Sequence, residues 1–376
     1  MVSVPDPAGG EVRGLKALAY PALTGRPEPG DRVLLNTTAV HQGLGTGGYA
    51  LVVAIPDRLP PDPELAGHIV KARYTPLQAT VASADEQGSP HHDLLRDADS
   101  VDGMPVVVAD LHSALPAVLA GFLAHFTETT PSAPLLPASP APFLTSPRPR
   151  VAYVMQDGGA LPAWFSRTVA GLRAAGWLTG TVTTGQSFGG DLETVTVHTG
   201  LLAARHVLGA DMAIVTQGPG NLGTGTRWGY SGVAAGEAVN AVAALGGRPV
   251  AALRISFADR RDRHQGVSHH SLTAYGHVAL APADVVVPGL PGEEGIRVAA
   301  EAAVLGSRHR LVRVPTDGLA DALRACPVGL STMGRSLDED LPYFLSCAAA
   351  GRHAATLLPR GGDPPVDPPA QGGRPP

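Results

Sequence analysis

Lysine is almost missing from this sequence: of its 28 basic residues only Lys16 and Lys71 are lysine. Charged residues of both signs make up 16% of the 376 positions and the net charge is −5. A chain so lightly charged and mildly acidic lacks the basic footprint of a nucleic-acid binder. Cysteine is nearly absent too, with only Cys326 and Cys347, which excludes a disulfide framework and a cysteine-rich zinc site. Long hydrophobic runs are also scarce. The most apolar window, "MPVVVADLHSALPAVLAGFLA", carries Asp110, His112 and Pro116, so it reads as strand, turn and helix rather than a membrane span. The first residues, "MVSVPDPAGGEVRG", have no basic stretch followed by an apolar one. No signal peptide is expected, and a cytoplasmic location follows by default.

Hydrophobic residues, at 44%, are ample for one large core and a smaller accessory domain. Residues 1–80 look β-rich, because "PGDRVLLNTTAV" and "GGYALVVAIP" are β-branched runs around the glycine turn "HQGLGTG". Short strands without helices must close or stack, so a small barrel-like domain is expected there. From 81 to 325 apolar strands alternate with amphipathic helices. That pattern predicts an α/β domain whose mainly parallel, doubly wound, Rossmann-like sheet is covered on both faces. Within it "TPSAPLLPASPAPFLTSPRPR" reads as a proline-rich surface loop over 130–150. A helical extension is expected over 326–355 and a disordered tail over 356–376.

The unusual residues crowd the predicted carboxyl ends of the strands, where open parallel sheets bind ligands. Asp110 and His112 follow the first strand, Asp157 the second, and Gly189 and Gly190 the third. The opposite edge carries bland connectors such as "LTG" and "GGRP". This asymmetry is the strongest sign of a ligand site.

After the fourth helix-flanked strand comes "GPGNLGTGTRWGYSG". Its G-x-G-x-x-G core suits backbone amides cradling a phosphate at a helix start. In that reading Gly218, Gly220, Gly223, Thr224, Gly225 and Thr226 hold the anion and Arg227 assists. The dinucleotide version fits poorly, since later glycines postpone the helix and no acidic residue follows at the expected distance, so no nicotinamide cofactor is expected. The bland alternative is a glycine loop that lets backbones pack closely.

The next strand, "PVAALRIS", runs into "DRRDRHQGVSHHS". In one reading Arg260, Arg261 and Arg263 clamp an anion, and His264, His269 or His270 transfers protons, oriented by Asp110 or Asp157. In a second, Asp110, His112, His264, His269 and His270 gather around a divalent metal. In a third, Ser268 caps a short helix, the charges are solvated, and adjacent histidines cannot both face inward. Trp164 and Trp177 sit at core-like helix positions, while Trp228 is free to stack on a ligand ring.

Several stretches resemble an uncharacterised bacterial family, domain of unknown function thirty-eight sixty-six. They are "YPALTGRPEPGDRVLLNTTAVHQGLGTGGY", "GHIVKARYTPLQ", "SPHHDLLRDADSVDGMPVVVADLHSALP", "GPGNLGTGTRWGYSG" and "GGRPVAALRISFADRRDRHQGVSHHSLTA". The resemblance spans about residues 20–325 and implies no activity, cofactor or catalytic residue. The residues themselves favour a hydrolase or group transferase acting on a small anionic or phosphorylated metabolite. A non-catalytic ligand sensor and a metal-dependent hydrolase stand as alternatives. Neither a nucleic acid nor a membrane is an expected partner, and the frequency with which large α/β enzymes pair leaves a homodimer open.

Overall fold

The computed structural model describes residues 1–4, 13–43, 47–62, 67–128 and 148–359. The expected glycine turn near residue 45, most of the proline-rich loop and nearly all of the tail lie outside these residues. The chain divides into two compact units, Met1–Val81 and Ala82–Pro376.

In the first unit the described strands make three small sheets. Val2–Val4 pairs with Arg13–Leu15, Ile69–Lys71 pairs with Ala79–Val81, and Ala50–Ala54 lies between Ala17–Leu18 and Leu34–Asn36. A closed barrel is not among them. The run expected as one strand over 29–40 stops early because Asn36 Oδ1 accepts from the Thr38 amide at 3.1 Å. That turn feeds one helical turn, Thr38–His41.

The second unit is built on eight strands: β1 Pro105–Val108, β2 Val151–Gln156, β3 Gly180–Thr183, β4 Leu192–Glu193, β5 Met212–Gln217, β6 Arg248–Ala252, β7 Asp284–Gly289 and β8 Arg310–Pro315. Their spatial order is β4-β3-β2-β5-β1-β6-β7-β8, and every neighbouring pair is parallel. Runs such as "PVVV" and "MAIVTQ" are buried at every position. Continuous apolar strands of this kind suit a sheet covered on both faces, where alternation would bury polar groups.

After a single helical turn at His92–Leu95, the described α-helices of this unit are α1 Ala114–Glu128, α2 Arg167–Ala174, α3 Val197–Leu202, α4 Ala234–Ala244, α5 His269–Thr273, α6 Gly292–Ala302, α7 Leu319–Arg324 and α8 Leu341–Thr356. Helix α8 packs on α1 and on β1, β6, β7 and β8. The two backbones touch: a Cβ on Gly121 would overlap the Ala348 carbonyl, and one on Gly351 would overlap that of Val118. The alanine-rich stretch "CAAAG" of α8 permits this approach.

The apolar periodicity of the sequence predicts continuous helices over 161–176 and 193–209, and both are shorter in the structure. The stretch 161–176 breaks at Ser166, whose Oγ accepts from the Val169 amide and starts α2 afresh. The stretch 193–209 opens as edge strand β4, and α3 begins only after a reciprocal Thr196–Thr199 capping box. Trp164, expected in the core, is 48% exposed. Its indole lies over Gly189, where any Cβ would collide with it.

The strand order sets the site. From β1 the chain crosses β5 to reach β2, whereas from β5 it crosses β1 to reach β6. Right-handed crossovers in opposite directions put α1 and α4 on opposite faces. The carboxyl ends of these two strands are therefore a topological switch point, the place where open parallel sheets bind ligands.

Candidate functional site

Asp110 stands just past the end of β1, at this switch point, and is buried. Strand β6 ends at Ala252, and a short antiparallel hairpin, Ile255–Ser256 with Gly266–Val267, follows. The hairpin holds the charged stretch as a closed loop with a 3-10 turn at Asp262–His264. Glu301 of α6 secures its far side by accepting from the Val267 amide at 2.6 Å. The chain then enters α5 with Ser268 as its N-cap.

Three histidines meet here. Ring centroids lie 5.1 Å apart for His264 and His269, 4.8 Å for His264 and His270, and 4.5 Å for His269 and His270. One nitrogen from each lies within 4.8 Å of the other two. His269 and His270 both face inward because they occupy the first turn of α5, where the incoming hairpin folds His264 over the helix start. The solvated-cap reading took a regular helix face for granted. Ser268 does cap the helix, accepting from the His270 amide at 3.2 Å, but its Oγ also lies 2.7 Å from His264 Nδ1.

Beneath the histidines lies a chain of charges. Arg254, with 3% of its side chain exposed, sits 3.7 Å from Asp110 Oδ2, 3.6 Å from Asp259 Oδ2 and 3.2 Å from His270 Nδ1. His270 Nδ1 is also 3.3 Å from Asp110 Oδ2. Asp259 accepts two bonds from Arg261, at 2.8 and 2.7 Å, and one from Arg335 at 3.4 Å. Arg335 continues to Asp340 at 2.9 Å, and Asp340 accepts from Ser256. Burial works against the Asp259 charge, but the Arg261 bonds outweigh it and hold the carboxyl well below the usual range.

The same surroundings keep two imidazoles neutral. Burial, then repulsion from Arg254 and His270, takes His264 down to about 2. Burial, then His270 and Arg263, takes His269 down to about 4. Tyr230, from the loop after β5, closes the top: its ring stacks on His270 at 3.7 Å and 6°, and its hydroxyl donates to the His270 carbonyl at 2.7 Å.

A family model described as "Protein of unknown function (DUF3866)" matches residues 16–351. The chain belongs to this family. The match takes in all eight strands of the large sheet and every residue of the histidine cluster. No curated protein matches the chain.

In this DUF3866 member the other expected residues divide into those near the cluster and those that serve the scaffold. Gly225 lies at its rim: a Cβ there would sit 3.8 Å from the Arg263 guanidinium carbon. Gly223 bridges Tyr230, so the glycine loop and the histidine segment meet through that ring. Arg227 and Arg260 are exposed, and Arg261 is committed to Asp259. Several amides of the glycine loop are engaged within the protein. Gly218 donates to Gln156, Leu222 to Ser231, and Thr224 to the Gly229 carbonyl. Thr224 and Thr226 bond each other at 3.1 Å, and Gly229 donates to Thr226. Gly218 is glycine because a Cβ would overlap the Ala160 carbonyl, while Gly220 turns the chain with φ 89°. Trp228 is 55% exposed and edge-on to His277.

His112 is not brought to the cluster. Its nitrogens are taken by Tyr153, at 2.9 Å, and Ser166, at 2.7 Å, and burial lowers it to about 4. Asp157 accepts from the Gln186 amide at 2.8 Å and ties the β2 and β3 loops together. Gly189 donates to Glu193, and Gly190 to Thr183.

Sequence reasoning passed over Arg254, Tyr230 and Gln217. Arg254 did leave a signal, as the single charge in "PVAALRIS". Gln217, at the end of β5, donates to the Asp110 carbonyl at 2.8 Å, while its buried Oε1 has no hydrogen-bond partner.

Proposed function

We propose that this DUF3866 member is an enzyme, a hydrolase or group transferase, acting on a small anionic metabolite such as a phosphorylated one. The observation that carries the reading is the convergence of His264, His269 and His270 beside Asp110, near the switch point where strand order reverses. A reacting centre needs lone pairs, and the neutral imidazoles of His264 and His269 present them. An anion needs cations it does not have to share. Arg263 at the glycine-loop rim, with the exposed Arg260 and Arg227, supplies these, whereas Arg254 and Arg261 are already matched by Asp110 and Asp259.

The test is a thermal-shift panel of nucleotides, sugar phosphates and acyl phosphates. A ligand at a hundredfold excess over its Kd adds about 2.7 kcal/mol to the stability of the native state. At least one class is expected to raise the midpoint by several degrees, and Arg263→Ala to reduce that shift. With the responding compound as substrate, His269→Ala should abolish turnover while leaving most of the shift. No response to any charged ligand would sink the proposal.

A further inference from the structure

We propose that His264, His269 and His270 together bind one divalent transition-metal ion, of the class represented by zinc and cobalt(II). The inference rests on reading this cluster as the reacting centre and names the cofactor that centre would use.

Three observations converge. One nitrogen from each histidine lies within 4.8 Å of the other two. Ligand nitrogens about 2.1 Å from a tetrahedral ion are roughly 3.4 Å apart, so modest side-chain rotation closes the set. Second, His264 and His270 both have Nδ1 engaged, by Ser268 Oγ at 2.7 Å and Asp110 Oδ2 at 3.3 Å. That leaves Nε2 as the coordinating atom of each. Nδ1 on a carboxylate or hydroxyl and Nε2 on the ion is the arrangement that fixes tautomer and ring orientation in metal sites. Arg254 Nη1, which can only donate, also lies 3.2 Å from His270 Nδ1, so loading the ion on Nε2 requires that guanidinium to turn to Asp110 and Asp259 and free Nδ1–H to donate to Asp110. Third, His269 Nε2 is buried with no hydrogen-bond partner, a costly state for a polar atom unless something else occupies its lone pair.

The donor set also selects the ion. Three imidazoles without a thiolate suit zinc, cobalt, nickel, copper or iron and disfavour magnesium or calcium. Three protein ligands leave the fourth position open, as in catalytic rather than structural zinc sites. An ion held by these three histidines would supply Lewis acidity and lower the pKa of water for hydrolysis. His112 takes no part, since both its nitrogens are occupied.

The full chain, stripped with a chelator and dialysed, is titrated with cobalt(II), with bound metal counted by elemental analysis and the visible spectrum recorded. The expected result is one equivalent bound, with the absorption of a tetrahedral nitrogen-ligated ion. His269→Ala breaks no hydrogen bond of His269 Nε2, so it should keep its metal-free thermal midpoint while losing the spectrum. Asp110→Asn should weaken binding roughly 10- to 100-fold. Ser268→Ala is the second positioning variant should Asp110→Asn fail to fold. No bound cobalt in the wild-type chain, or unchanged binding in His269→Ala, overturns the proposal. Inorganic phosphate added to the metal-free and cobalt-loaded chains separates this idea from the substrate reading. A midpoint shift by phosphate without cobalt uptake removes the metal and leaves the anionic substrate. Cobalt uptake at these residues with no response to phosphate or to any compound of the charged panel keeps the metal and removes the anion.

Discussion

A guanidinium with 3% of its side chain exposed must find its charge compensation inside the protein, and Arg254 finds it in Asp110 and Asp259. Removing one member of such a set strands the others in a medium that solvates them poorly. Arg254→Met is therefore expected to cost about 3 kcal/mol or more. Arg261 touches the same Asp259 but has a side chain 37% exposed, so Arg261→Met should cost at most about 1 kcal/mol. Urea denaturation of both variants checks this, and equal losses would refute the ordering. A second residue-scale expectation concerns acid. His112 falls from an ordinary 6.5 to about 4 in the folded chain because burial disfavours its charged form. Once the pH drops below about 6.5 the unfolded chain binds a proton that the native chain refuses, so stability falls with pH down to about 4. Between pH 7 and pH 5 this residue alone withdraws about 2 kcal/mol. Stabilities from urea midpoints at the two pH values should differ by at least this much, and His112→Gln should reduce the difference by about 2 kcal/mol, leaving the share of His264 and His269, which are lowered in the same way. An unchanged wild-type midpoint would refute it. Neither residue was easy to read from sequence. Arg254 looked like one more polar position near a strand end. The partners of His112 are 41 and 54 residues away along the chain.

Elements were more legible where apolar periodicity alone decides them. Strands such as "RVAYVM" and "DMAIVT" sit within a residue or two of their expected places, because unbroken β-branched runs fit little besides a covered parallel strand. The losses came where one hydrogen bond overrides the pattern, as at Ser166, Thr196 and Asn36. The histidine cluster was half legible. Its residue types and its place after β6 stood out, but the hairpin that folds His264 onto α5 has two-residue strands and no periodicity to reveal it. The α1–α8 contact belongs at this scale too. A side chain at Gly351 must displace the Val118 carbonyl region, and the backbone cannot yield without separating the helices. Gly351→Val should cost roughly 3 kcal/mol, at the high end of overpacking, despite the better helix propensity of valine. A thermal melt matching that of the wild type would show that the helices part freely.

At the scale of the molecule, the sheet places chemistry by order rather than by motif. The glycine loop follows β5, while the three histidines gather in the segment after β6, one crossover further along the chain. The switch point arises because α1 and α4 leave adjacent strands toward opposite faces, a property of strand order that no local window contains. Along the described chain, no helix is long and apolar enough to cross a membrane.

The position of α8 has a consequence for biosynthesis. It packs on four strands yet follows all eight in the chain, so one side of the finished sheet has its cover delivered last. A ribosome that has already extruded β8 holds a nascent sheet whose Val-rich surface is still open to water and to other chains. A chain that stops between β8 and α8 is therefore expected to be sticky and prone to aggregate.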